Sequence, residues 1–263
     1  MILLKIGRLT LIFLFLTLIS QLGGVIYLIY LIIRNVLFKN FQGSSYRRLK
    51  KTGLLLSVYL LFTQLLIPPL ARINHRVPLP LWASEEVPLQ AAHPFYYFFM
   101  RNYIRPKLKE ALIEIAHKMR AQYPGCTLTY LDGSFPFWNG YPLLPHLSHD
   151  DGRKLDLNFL YVDPTTNALI SGPPNLLGYG WYENPALGEI NYPDYCRQLG
   201  NWQYGLVKYI GRRLHPGEIK FSQSHNQKLL RELIQDPRIQ VIFIEPHLKS
   251  RLGLDGMPKL YYH

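Results

Sequence analysis

Residues 9–33 read LTLIFLFLTLISQLGGVIYLIYLII, 25 consecutive residues without a charged side chain. A helix needs about 20 apolar residues to cross the hydrocarbon core of a bilayer, and it satisfies its own backbone polar groups in lipid. Residues 53–71, GLLLSVYLLFTQLLIPPLA, are also uncharged, and Pro68 and Pro69 are expected to end their helix. The pattern predicts a two-helix transmembrane hairpin within residues 1–71. A cleaved signal peptide for the first segment and a buried core helix for the second are the alternatives.

The positive charge is concentrated at the N-terminal end of the chain. Residues 1–84 contain ten Lys and Arg residues and no Asp or Glu, whereas residues 85–263 contain 19 basic and 17 acidic residues. Six of the ten lie in the loop between the two apolar segments: Arg34, Lys39, Arg47, Arg48, Lys50 and Lys51. Basic loops stay in the cytoplasm, which places the N-terminus and residues 72–263 on the opposite side. Residues 1–84 carry +10 of the net charge of +12, so the excess positive charge does not indicate a nucleic-acid partner.

The remainder of the chain has the pattern of an α+β protein. Residues 72–92 are rich in proline and predict a linker, and residues 93–263 predict one domain. Apolar spacing predicts helices at 107–122, 195–214 and 225–235, a helical turn at 246–252, and strands at 127–131, 155–162 and 239–244. In the second strand Leu155, Leu157 and Phe159 share the predicted buried face. Cys126 and Cys196 lack CxxC spacing, and both a disulfide and two free thiols stay open.

Residues 145–159, PHLSHDDGRKLDLNF, hold the densest group of ionisable side chains. Imidazole nitrogens and carboxylate oxygens bind zinc at about 2.0–2.2 Å. Gly152 permits the chain to reverse between His149 and Asp156. The spacing predicts a metal site that includes these two residues. An exposed polar turn with solvated charges is the alternative.

The same stretch resembles the first metal motif of the LAS metallopeptidases, and most of all that of penicillin-insensitive murein endopeptidases. The motif H-x-S-H-x-x-G-x-x-x-D is matched by His146, Ser148, His149, Gly152 and Asp156. The resemblance covers roughly residues 95–255. It implies a zinc peptidase that cleaves peptide cross-links of peptidoglycan, with His149 and Asp156 as zinc ligands. It also implies a bacterial source, in which the anchor predicted above would lie in the inner membrane and the domain in the periplasm or at the outer face of the membrane.

Further residues acquire expected roles through this resemblance. His146 and Ser148 would lie beside the ligands or face the substrate. Tyr179 and Trp181 belong to an aromatic segment, LGYGWYENP at residues 177–185. These rings either stack on sugar or peptide or fasten their loop to the core.

The second motif of the family, H-x-H, does not occur in the 263 residues. In the family it supplies the third zinc ligand and a catalytic histidine. His225, His247 or His263 would have to replace it. Two expectations therefore stand: a zinc peptidase of which this sequence lacks a part, or a non-catalytic, membrane-tethered protein that binds or scaffolds the cell wall.

Overall fold

The apolar N-terminal segment folds into two helices. The computed structural model describes residues 2–39, 46–172, 183–200 and 218–261. In it, α1 spans Ile2–Ser20 and α2 spans Gly23–Leu37, and Gln21 between them has a left-handed φ of 61°. A Cβ added to Gly24 would lie 2.6 Å from the carbonyl oxygen of Phe13, so α2 folds back against α1. The single helix predicted for residues 9–33 is therefore wrong. Gly23 and Gly24 let the two helices approach closely after the turn, where a residue with a side chain would clash.

A third helical stretch runs past the two prolines. It consists of α3 (Arg47–Leu60), a π-helical segment (Leu61–Leu66) and α4 (Ile67–Ile73). Pro68 and Pro69 were predicted to end the helix, but they occupy the first turn of α4. Proline is tolerated there because the N–H groups of a helix's first turn have no intrahelical partner, and the wider π-helical turn before it leaves room for the proline ring. Two helical stretches, Leu3–Ser20 and Arg48–Ile73, are long and apolar enough to cross a membrane.

The chain folds into two compact units. The first comprises Met1–Pro78, Phe95–Pro106 and Asp132–Leu155. Besides the helices above it contains β1 (Val77–Pro78), which pairs antiparallel with β3 (Tyr103–Ile104), and most of α5 (Pro94–Phe98). Its apolar core is built from the following side chains: Ile26, Tyr30, Val58, Ile67, Ala71, Met100 and Tyr103.

The second unit comprises Leu79–Pro94, Lys107–Leu131 and Asp156–His263. β2 (Leu89–Ala91) pairs in parallel with β4 (Leu128–Tyr130), and nearly all of α6 (Pro106–Gln122) belongs to this unit. In a three-stranded sheet, β5 (Tyr161–Val162) lies between β6 (Leu169–Ile170) and β7 (Lys220–Phe221). A parallel pair is formed by β8 (Ile242–Phe243) and β9 (Leu260–Tyr261). The remaining helices are α7 (Tyr192–Gln198), α8 (Gln223–Gln235) and α9 (Pro246–Arg251).

Several sequence predictions are confirmed. The helix predicted at 107–122 is α6, the helix at 225–235 is α8, and the strand at 127–131 is β4. The predicted helix at 195–214 overlaps α7, which ends at Gln198, and Gly200 has a left-handed φ of 93°; residues 201–214 lie outside the described residues. Residues 72–92, predicted as a linker, contain the end of α4, β1 and β2, and Leu89 is fully buried.

The strand predicted at 155–162 is shorter than expected. Only Tyr161–Val162 forms a strand, while Leu157 makes an isolated bridge to Tyr130. The predicted face is also wrong, because Asn158 is buried and the three apolar residues before Leu160 are half-buried. The backbone N–H of Asn158 donates to the carbonyl oxygen of Thr129, so pairing with β4 rather than alternation sets this segment.

Cys126 and Cys196 are not joined by a disulfide, which resolves the alternative that the sequence left open. Cys126 is buried and Cys196 is half-buried. Burial raises the pKa of the Cys126 thiol to about 11. A buried, protonated thiol is a poor nucleophile and a poor metal ligand.

Candidate metal site

His146 and His149 lie on one short turn of the loop 132–155. The backbone N–H of His149 donates to the carbonyl oxygen of His146 at 3.0 Å, and the two rings are 5.4 Å apart between centroids. Asp156 follows seven residues later, where its carbonyl oxygen accepts a hydrogen bond from the N–H of Leu131 at 2.9 Å. Gly152, with φ at 78°, reverses the chain between them as the sequence predicted.

One potential ligand atom from each of His146, His149 and Asp156 lies within 4.8 Å of the other two. Ligands bound at about 2.1 Å in a tetrahedron are about 3.4 Å from one another. Side-chain rotations that close the group by about an ångström would bring all three to an ion. This group could therefore hold a metal ion, and it contains the two ligands expected from the sequence plus His146.

The orientation of His149 suits a ligand. The ring is 7% exposed, and its Nδ1 lies 3.0 Å from the carbonyl oxygen of Gly133. A carbonyl accepts only, so Nδ1 carries the proton and Nε2 keeps its lone pair, the arrangement usual for histidines that bind metals. Gly133 itself is confined, since a Cβ there would lie 3.0 Å from the carbonyl oxygen of Tyr103.

A buried ion pair lies behind His146. Asp132 is 1% exposed and receives two hydrogen bonds from Arg101, at 2.5 Å from Nε and 2.9 Å from Nη2. The second carboxylate oxygen of Asp132 is also 3.7 Å from Nδ1 of His146. Nη2 of Arg101 donates as well to the carbonyl oxygen of Leu144 at 2.8 Å. The separation between Asp132 and His146 is longer than a hydrogen bond, so Asp132 lies behind His146 as a nearby negative charge.

Sequence reasoning did not assign Asp132 to the site. It stands in the segment YLDGSF, which looks like an ordinary strand followed by a turn. Its partners, Arg101 and His146, are 31 and 14 residues away, so no local spacing reveals the pairing. The only sequence signal was a charged residue directly after a strand of apolar and aromatic residues.

Arg76, three residues after α4, holds the loop that carries the two histidines. Its guanidinium donates to the carbonyl oxygens of Phe135 and Phe137, to Oδ1 of Asn139 at 2.6 Å and to the carbonyl oxygen of Asp150 at 2.9 Å. The side chain is 1% exposed. Burial, together with the nearby charge of Arg105, lowers the pKa of Arg76 to about 10, so it stays charged at neutral pH.

The turn between α1 and α2 contacts the same loop. The side-chain amide of Gln21 accepts from the N–H of Phe137 at 2.9 Å and donates to its carbonyl oxygen at 3.3 Å. The hydroxyl of Tyr141 donates to the carbonyl oxygen of Thr17 at 2.8 Å. The loop that carries His146 and His149 is thus tied both to the hairpin turn and, through Arg76, to the end of α4.

The other expected site residues are placed as follows. Ser148 is exposed, and its carbonyl oxygen accepts from Nζ of Lys154 at 2.7 Å. Tyr179, Trp181 and His263 lie outside the described residues. Within the described ranges, the metal-binding group includes neither His225 nor His247.

Both of these histidines have local partners. Nδ1 of His225 is hydrogen-bonded to the hydroxyl of Ser222 at 2.5 Å, and its ring contacts Tyr123. Nε2 of His247 lies 2.8 Å from the carbonyl oxygen of Glu183. Neither residue replaces the missing H-x-H motif in the described structure, and the third potential ligand comes from the first motif itself.

Comparisons of the chain with protein-family models, with curated proteins and with solved structures found no match. The likeness to murein endopeptidases therefore remains a prediction that rests on the motif between His146 and Asp156.

Proposed function

We propose that this protein is a membrane-anchored zinc peptidase that acts on the peptides of peptidoglycan. The observation that carries the proposal is the group formed by His146, His149 and Asp156, whose potential ligand atoms lie within 4.8 Å of one another. Two imidazole nitrogens and one carboxylate oxygen form a ligand set that zinc accepts in hydrolases.

In this proposal the three side chains leave a fourth position for water. Bound zinc would polarise the scissile carbonyl and lower the pKa of that water. The chain's own residues supply the geometry: the carbonyl oxygen of Gly133 orients His149 through a hydrogen bond, and the buried carboxylate of Asp132 lies 3.7 Å behind His146. In this arrangement His146 is the third ligand, whereas the sequence suggested that it lies beside the ligands or faces the substrate.

The exposure of α1 supports a membrane anchor. Its large apolar side chains face outward, with Leu3 84%, Leu11 70% and Phe15 61% exposed. A core helix of a soluble protein would bury these side chains, whereas lipid covers them without cost. A cleaved signal sequence also begins with an apolar helix, but α1 packs against α2, and Thr17 accepts a hydrogen bond from Tyr141.

The hairpin also suggests an orientation. Since α2 folds back along α1, the first residues of α1, with Lys5 and Arg8, lie at the same end as the basic loop that follows α2. All these charges then face the cytoplasm, in agreement with the positive-inside rule. The loop with His146 and His149 is tied to the other end, on the periplasmic side of a bacterial inner membrane. This topology differs from the sequence expectation in placing the N-terminus inside and in having two helices, α1 and α2, where one was expected.

The test is metal binding by the full-length protein in detergent. We expect about one zinc ion per chain in the wild type and its loss in His149→Ala and Asp156→Ala. His117→Gln is the matched control, because it removes an exposed imidazole from α6 and should leave the zinc content unchanged. Purified peptidoglycan is then offered to the zinc-loaded protein, and soluble peptides are followed by mass spectrometry.

The outcomes separate the two functions considered. Zinc binding together with peptide release supports the peptidase. A folded wild type that binds no zinc contradicts it. If that protein sediments with peptidoglycan, the non-catalytic wall-binding or scaffold function replaces the enzyme.

A further inference from the structure

We propose that a basic cavity at the end of α2 binds the phosphate of an anionic phospholipid headgroup. The inference rests on the membrane anchor proposed above and is independent of the metal site. The cavity has a volume of about 360 Å³. It is lined by Arg34, Asn35, Phe38 and Lys39 from the end of α2 and the residues after it, and by Lys51 of α3.

The charge of the cavity calls for an anion. Three of its five lining residues, Arg34, Lys39 and Lys51, are basic. The C-terminal end of a helix attracts cations, but it amounts to only about half a negative charge. A phosphate offers several acceptor oxygens to guanidinium and ammonium groups at once, in the strongest class of hydrogen bond.

Arg34 is held at the end of α2 by two neighbouring side chains. Its Nε and Nη2 donate to Oδ1 of Asn35 at 3.3 and 2.9 Å. Its guanidinium carbon also lies 5.7 Å from the ring centroid of Tyr30, one helical turn earlier. These contacts hold the planar group at the helix end, so less side-chain entropy is lost when a phosphate binds.

The surroundings favour a lipid over a soluble phosphate. Ile32, Val36 and Leu37 on α2 are 65%, 72% and 62% exposed. Acyl chains would cover these side chains while the headgroup of the same molecule reaches the cavity. Basic pockets between transmembrane helices on the cytoplasmic side bind anionic headgroups in this manner.

The experiment compares two triple variants of the full-length protein by native mass spectrometry from mixed phosphatidylglycerol and phosphatidylcholine micelles. The test variant is Arg34→Gln/Lys39→Gln/Lys51→Gln. The control is Lys5→Gln/Arg8→Gln/Arg48→Gln, which removes the same charge from exposed positions that do not line the cavity. If each of the three charge-assisted contacts to the phosphate contributes about fivefold, the test variant should retain phosphatidylglycerol about 100-fold less than the wild type.

The control variant should retain phosphatidylglycerol within a few fold of the wild type. Equal losses in the two triple variants would overturn the proposal, because they would show only a diffuse effect of charge. Displacement of the lipid by millimolar inorganic phosphate would overturn the lipid assignment and leave a soluble phosphate site. Arg34→Lys, which keeps the charge, should retain most of the lipid if the loss in the test variant comes from charge rather than from misfolding.

The experiment also distinguishes this inference from the membrane anchor on which it rests. Wild-type protein that fails to co-float with vesicles made only of phosphatidylcholine would refute the anchor. Protein that inserts into those vesicles but shows no preference for phosphatidylglycerol would refute the headgroup site alone.

Discussion

Replacing Arg76 with lysine tests how the loop of the candidate metal site is held. The guanidinium donates to four oxygens, which belong to Phe135, Phe137, Asn139 and Asp150. Nη1 donates to the carbonyl oxygens of Phe135 and Phe137, and Nη2 donates to the other two oxygens. A lysine keeps the charge but offers one nitrogen in place of these two, so about two of the hydrogen bonds are lost. Hydrogen bonds to charged groups are worth about 1.5–3 kcal/mol each, which gives a local loss of about 3–6 kcal/mol.

Hydrogen exchange of the full-length protein, followed by mass spectrometry, measures this loss. A local loss of about 3 kcal/mol or more accelerates exchange by at least about 100-fold for amides of the loop 132–155 that are protected in the wild type. Amides of α8, in the other unit, serve as an internal standard and should not change. Arg72→Lys is the matched control, since Arg72 is an exposed arginine of α4. Unchanged exchange in the loop of Arg76→Lys would refute the reasoning that this guanidinium holds the loop.

Three further outcomes are expected. Asp132→Asn leaves Arg101 buried without its carboxylate and should destabilise the fold by about 3–5 kcal/mol, which is measured as a lower unfolding temperature. The uncharged double variant Asp132→Leu/Arg101→Met should recover most of this stability, and an unchanged unfolding temperature in Asp132→Asn would contradict a buried ion pair. Hydrogen bonds from Arg251 lower the pKa of Glu189 from 4.5 to about 2, so the free energy that this pair contributes to folding is complete above pH 4.5 and is lost as the pH falls towards 2. Arg251→Gln should reduce the dependence of unfolding free energy on pH between 2 and 4.5, and an unchanged dependence would exclude the pair as its source. Because burial raises the pKa of Cys126 to about 11, iodoacetamide at pH 8 should modify it at least about 100-fold more slowly than an exposed cysteine, and rapid labelling would show that the thiol is accessible.

Local patterns predicted the parts of the fold that depend on neighbouring residues. The helical spacing of apolar side chains located α6 and α8, because a helix buries one face whatever it packs against. The motif between His146 and Asp156 located the candidate site, because turn geometry brings residues three to ten positions apart into reach. Even there, the sequence assigned His146 a role beside the ligands, and its grouping with them depended on the folded loop.

Interactions between distant parts of the chain were beyond the sequence. The turn at Gln21 depends on the packing of Gly24 against Phe13, and apolar composition alone does not distinguish one long helix from two that fold back. Arg101 and Asp132 likewise pair across 31 residues.

The amino-acid sequence by itself determined which segments are apolar, where the positive charge lies and which side chains can bind a metal. Those properties belong to residues and their neighbours along the chain. Only the tertiary structure decided where the first apolar segment turns and which buried groups hold the loop of the site. The free energy of those arrangements comes from close packing and from buried hydrogen bonds between residues far apart in sequence, and no local pattern records them.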